Sequence, residues 1–105
     1  MSSSGWGGFD LMEIVVKLYG YLCKRAGTDS IKVTISENET VDTLLMKLSR
    51  RHSQLVEEIL DPTTGELQAQ YNILLNGRHI QQIRGIHTKL KDRDEIAIFP
   101  PVAGG

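Results

Sequence analysis

Few side chains in this 105-residue sequence are of the kinds that do chemistry, and their spacing assembles no reaction centre. The histidines His52, His79 and His87 lack H-x-x-x-H spacing, and Cys23 is the single cysteine. Such a set cannot make a zinc site or an iron–sulfur cluster, because each needs several Cys or His ligands at close intervals. Cys23 lies between Leu22 and Lys24–Arg25, with no neighbouring base, so it reads as a small, partly buried residue. His52 falls at an expected helix end and His79 just after a turn, so both read as surface residues. Glu57–Glu58 reads as a solvated helix face, and Glu37, Glu39 and Asp42 complement the positive end of a helix dipole. Neither G-x-x-x-x-G-K-[ST] nor G-x-G-x-x-G occurs, so no recognisable loop grips nucleotide phosphates. The group that remains is the α-carboxylate of Gly105.

The residues before it favour use of that group. Gly105 carries no Cβ to shield its carboxylate, and Gly104 reaches backbone conformations closed to other residues. Pro100 and Pro101 fix φ and favour an extended path. Residues 100–105 span roughly 20 Å when extended. Two readings follow: a rod with a reactive tip that enters a partner's active site, or a loose terminus where small residues gather. A carboxylate reacts only once activated, and the standard activation is adenylation by ATP. Without a phosphate-binding loop this chain would need a partner enzyme for that step.

The tail must be carried by a domain, and the length fits one. With 40% hydrophobic and 24% charged residues the composition is that of an ordinary globular chain. The formal charge is −1, and the longest basic run, Arg50–Arg51–His52, sits at a helix end where it complements the dipole. Nucleic acid is therefore not an expected partner. No apolar run approaches the roughly 18 residues of a membrane span, and no secretory leader is visible. A single cysteine fits a reducing, cytoplasmic setting. Residues 1–11, rich in Ser and Gly, read as a flexible extension, natural or left by cloning, with Met12 an alternative start. That leaves 12–99 as the folded domain and 100–105 as the reactive tail.

The elements that must position the tail are legible from periodicity. Met12–Tyr19 reads as a central strand buried on both faces, and Ile31–Ser36 as a half-buried strand, with Gly20 and Gly27-Thr28-Asp29 as punctuation. Thr40 reads as the N-cap of an amphipathic helix carrying Val41, Leu44, Leu45 and Leu48. Ser53 is expected to cap a second, short helix with Leu55, Val56, Ile59 and Leu60, stopped at Asp61–Pro62. Tyr71–Leu75, a type I′ turn at Asn76–Gly77, and Arg78–Ile80 form a hairpin. Residues 81–90 read as loop with one helical turn near His87–Leu90, before a KDRD turn and the last strand, Glu95–Phe99. Strands grouped around one main helix make the fold class α+β, a mixed sheet with that helix on one face.

Two segments carry a resemblance to a known family. Leu90–Gly105, ending FPPVAGG, closely resembles the C-terminus of MoaD-type sulfur carriers, and Leu18-Tyr19 through Ala26-Gly27-Thr28-Asp29 resembles the segment after their first strand. The resemblance covers most of residues 12–105 and implies the β-grasp fold shared with ubiquitin and ThiS. It implies that an E1-like enzyme of the MoeB/ThiF type uses ATP to adenylate Gly105, the chain itself binding no cofactor. A cysteine desulfurase or rhodanese-type donor would then convert Gly105 to a thiocarboxylate. As the non-catalytic small subunit of molybdopterin synthase, the chain would insert its tail into a MoaE-like large subunit and supply dithiolene sulfur. Gly105 would be the reacting group and Gly104 the close-fitting spacer. Phe99, Pro100, Pro101, Val102 and Ala103 would form the docking rod, although Phe99 reads equally as a core or sheet-edge aromatic. The stretches Asp61–Gln70 and Gln81–Thr88 are longer than in compact bacterial MoaD and resemble an archaeal-type branch, some of whose members also modify proteins. The acceptor thus stays open among molybdopterin, thiamine, tRNA and protein lysines.

Overall fold

A computed structural model of the protein describes residues 11–61, 63–68 and 70–101. The expectations placed on residues 1–10 and on Val102–Gly105 lie outside the described residues. Alternation sets β1 (Met12–Leu18): Ile14, Val16 and Leu18 are buried, whereas Val15 and Lys17 are only half-buried. Burial on both faces is therefore corrected, because only one face of the sheet carries helices. β2 (Ser30–Ile35) pairs antiparallel with β1, with Val16 opposite Ile31 and Ile14 opposite Val33.

Between these strands lies a helix that periodicity did not reveal, α1 (Leu22–Ala26). Its five residues bury only Leu22, and it ends at Gly27, whose φ of 78° forms the left-handed C-cap. α2 (Val41–Arg51) buries Val41, Leu44, Leu45 and Leu48, the expected stripe. At its start the Thr40 N–H donates to Thr43 Oγ1 at 3.0 Å, and the Thr43 hydroxyl donates to the Thr40 carbonyl at 2.8 Å. α3 (Ser53–Ile59) begins with Ser53 inside the helix, so the cap is His52 and not Ser53; His52 ends α2 and opens α3.

β3 (Asn72–Leu75) and β4 (Arg78–His79) form the expected hairpin, with positive φ at both Asn76 (52°) and Gly77 (86°). The helical turn expected near His87–Leu90 is replaced by two 3₁₀ turns, Ile80–Gln82 and Gly85–His87. This segment is tied under α2: the buried Thr88 donates its hydroxyl to the Gly85 carbonyl, and its own carbonyl accepts from the Val41 N–H at 3.1 Å. β5 (Glu95–Phe99) then enters the middle of a sheet ordered β2-β1-β5-β3-β4.

β5 runs parallel to β1 and antiparallel to β3, which aligns apolar side chains in rows across the strands. Ile31, Val16, Ile96 and Leu75 make one row, and Leu18, Ile98 and Ile73 the next. α2 and α3 close over these rows to form a single core. The fold is α+β as expected, a mixed sheet with its main helix on one face. Among the described residues no helix is long and apolar enough to cross a membrane.

Glu39 anchors the α2 entry. Its carboxylate accepts from the Ser36 N–H and pairs with Lys47 Nζ at 2.7 Å, with only 16% of its side chain exposed. Burial pushes its pKa up, but the Lys47 ammonium and the Ser36 N–H lead the contacts that outweigh burial and hold it below its ordinary value of 4.5. A lowered folded-state pKa contributes stability that is present above the unfolded value and lost as pH falls through the folded one. Glu39→Gln should cost about 1–2 kcal/mol at neutral pH. The deficit should shrink as acid denaturation proceeds below pH 4.5, as read from urea melts across pH.

Candidate functional site: the root of the C-terminal tail

The tail leaves the domain through Phe99, Pro100 and Pro101, all half-buried. Parallel pairing places Leu18 opposite Ile98, so the next residues, Tyr19 and Phe99, fall side by side at the same end of the sheet. Their rings stack with centroids 4.3 Å apart and planes inclined by 14°. The Tyr19 N–H donates to the Ile98 carbonyl at 3.2 Å and closes the pair from the backbone side. Phe99 is therefore a half-buried aromatic held within the chain, on the face opposite the core.

Pro100 meets Gly20. Gly20 has φ of 65°, and a Cβ built there would lie 2.7 Å from Pro100 Cγ and 3.3 Å from Cδ. The proline ring thus occupies the space a side chain would fill, and the turn direction requires glycine as well. Gly20→Ala meets both obstacles. Gly27→Ala meets only the left-handed backbone, since nothing lies within 4 Å of its Cβ position. We expect Gly27→Ala to cost about 1 kcal/mol and Gly20→Ala about 2–3 kcal/mol in chemical denaturation. Loss of ring contacts between Tyr19 and Phe99 in NMR spectra should accompany the second alone.

Tyr21 completes the loop that holds the root. Its hydroxyl lies 2.6 Å from that of Tyr71, the buried residue just before β3. Burial, then the hydrogen bond to Tyr21, pushes the Tyr71 pKa well above its ordinary value; Glu58 adds to the rise and Arg25 opposes it. Tyr71 therefore keeps its hydroxyl proton at physiological pH. Arg25 and Glu58, 3.0 Å apart, join α1 to α3 beside it. Tyr19, Gly20 and Tyr21 are the residues that sequence reasoning missed. The available signal was Gly20 between two aromatics directly after the first strand.

The other candidates stand apart from one another. His52 joins two helices, the His79 ring bonds Asn72 Oδ1 at 3.0 Å, and His87 ends the second 3₁₀ turn. The half-buried Cys23 donates its Sγ–H to the Leu18 carbonyl at 2.9 Å. Among the described residues no cluster of His, Cys, Asp or Glu could hold a metal ion. Of the residues assigned to the tail, Phe99, Pro100 and Pro101 come together with Tyr19 and Gly20; Val102, Ala103, Gly104 and Gly105 lie outside the described residues.

The model of the ThiS family matches residues 16–105, from β1 through the tail. The chain belongs to the ThiS family. Small archaeal modifier protein 3 of Haloferax volcanii is 31% identical over 94 residues, covering 90% of this chain and all of the relative. The sulfur carrier protein CysO of Mycobacterium tuberculosis is 29% identical over 82 residues, covering 77% and 88%. A solved Pyrococcus furiosus structure, assigned as a molybdopterin converting factor subunit 1, superposes with a TM-score of 0.69 at 28% identity, covering 87% of this chain and 99% of its own. The sheet order and the helices on one face are the ubiquitin-like β-grasp of these ThiS-family neighbours. The chain is a carrier or modifier domain of that family, as the FPPVAGG ending implied.

Proposed function

We propose that this protein carries sulfur on Gly105 as a C-terminal thiocarboxylate and acts as the small subunit of molybdopterin synthase. The observation that carries the reading is the gripped root: Phe99 and Pro100 are packed on Tyr19 and Gly20, and Pro101 alone separates them from Val-Ala-Gly-Gly. A fixed root aims a short tail and lessens the entropy lost when a partner's tunnel takes it in. An E1-like enzyme would direct the Gly105 carboxylate onto the α-phosphorus of ATP, forming the acyl-adenylate and releasing pyrophosphate. The sulfur of a donor persulfide would attack that carbonyl and displace AMP. A thiol would then reduce the acyl disulfide, leaving the thiocarboxylate. A large subunit of the MoaE type would receive the tail and direct the sulfur to the pterin precursor.

Incubation with the E1-like enzyme, ATP and a sulfur donor should give the mass change of one oxygen-for-sulfur exchange, located on Gly105 by fragmentation. An unchanged mass with an E1-like enzyme that activates another carrier normally would end the proposal. A second reading is supported by the likeness to a small archaeal modifier: Gly105 forms isopeptide bonds with target lysines. A Gly105-dependent ladder of tagged conjugates in its own cells would support it, and a single clean band would count against it. Delivery to thiamine or tRNA would use the same activated tail, and co-purified partners distinguish the destinations.

A further inference from the structure

A second surface lies away from the tail, at the edge of the sheet formed by β2. We infer that the groove between β2 and α2 docks an extended acidic–aliphatic peptide segment of a partner protein, which adds a strand to β2. Strand parity comes first. The Leu18 N–H donates to the Asp29 carbonyl at 2.9 Å, so Asp29, Ile31, Val33 and Ile35 turn their backbone groups toward β1. Ser30, Lys32 and Thr34 therefore turn theirs outward. The Ser30 groups are met by the Thr28 hydroxyl, and the Thr34 carbonyl by Lys47 Nζ at 3.5 Å. The Lys32 N–H, the Lys32 carbonyl and the Thr34 N–H are left to template a strand, since the sheet ends at β2.

The side chains beside this edge select the occupant. The groove measures about 320 Å³, room for a few side chains and small for a nucleotide-sized ligand. Its floor is the half-buried Val33 above the core residues Ile31 and Leu48, which suits a branched aliphatic residue of an extended chain. Lys32, Arg50 and Arg51 line the same groove and take part in none of the ion pairs among the described residues. On a chain of net charge −1 this is a local concentration of positive charge, and it calls for carboxylates flanking the aliphatic residues. A second copy of this chain fits poorly, because edge-to-edge pairing would oppose these cations to their own duplicates. The groove has no aromatic residue on which nucleic-acid bases could stack.

The probe is a fluorescein-labelled peptide, Asp-Val-Ile-Val-Asp-Asp-Glu-Glu, titrated with the full-length protein. Saturable anisotropy should appear, with amide shifts centred on Lys32–Thr34 and Leu48–Arg51. A peptide with lysines in place of its acids should not bind. Thr34→Pro deletes an outward N–H at a position an edge strand tolerates, and Arg51→Glu inverts one cation. Each should weaken binding about tenfold with the circular dichroism spectrum unchanged. If Thr34→Pro disturbs the fold, Arg51→Glu alone decides. Absence of binding, or binding indifferent to Arg51→Glu, overturns the inference. So does displacement of the peptide by oligouridine, or dimerisation of the protein through the same edge.

Discussion

Leu44→Ala is expected to lower the unfolding free energy by about 2–5 kcal/mol. Leu44 is fully buried and lies in the α2 stripe with Val41, Leu45 and Leu48, over the core face of the sheet. Removing its isobutyl group forfeits transfer energy and leaves a cavity that close-packed neighbours fill only in part. Small domains hold only about 5–15 kcal/mol in total, so the midpoint of thermal unfolding should fall by roughly 10–30 °C. Met46 supplies the internal control: on the same helix it is 59% exposed, and Met46→Ala should change stability by no more than about 0.5 kcal/mol. Equal losses from the two substitutions, measured by urea denaturation, would contradict the burial of one α2 face.

Deletion of Gly105 should do the reverse. It removes a residue beyond the last strand, so the thermal midpoint should stay within about 1 °C of the parent. Formation of the thiocarboxylate should nonetheless disappear, because the only terminal carboxylate left to take the adenylyl group would be that of Gly104, one residue short of the activating site. Adding one residue after Gly105 should be equally damaging, since the new terminus would bear a side chain or overreach the activating site. Differential scanning calorimetry paired with intact-mass analysis separates the outcomes. Persistence of the oxygen-for-sulfur mass change after deletion would exclude Gly105 as the carrying group, and unfolding on deletion would exclude a tail independent of the core.

Legibility from sequence followed the range of the physics. Period-two alternation in β2, the 3.6-residue stripe of α2 and the Asn76–Gly77 turn are written within short windows, and all appear where expected; β1 lies where expected but buries one face and not two. α1 was missed because five residues with one buried leucine make no periodic stripe; Lys24–Arg25 before a left-handed Gly27 was the only local trace. The cap of α3 was displaced from Ser53 to His52 because α2 ends one residue before α3 begins, leaving a single residue to serve both. The site divided in the same way. Pro100–Pro101 and Gly104–Gly105 announced a tail by residue type alone. Tyr19 and Gly20 touch residues 80 positions away, and that contact depends on the parallel pairing of β1 with β5. Hydropathy marks a strand without naming its neighbour, so the grip on the tail root could not be read before the sheet was assembled.

That pairing also determines how the domain bears load. β1 and β5 lie side by side and parallel, one near each end of the chain, and β5 is bonded on its other edge to β3. Tension applied between residue 12 and a partner holding the tail pulls the two strands past one another lengthwise. Their cross-strand hydrogen bonds then resist together instead of parting one at a time from a free end. A protein gripped by its last residue therefore hangs from a strand bonded along both edges, and the force needed to extract β5 is that of shearing two ladders at once.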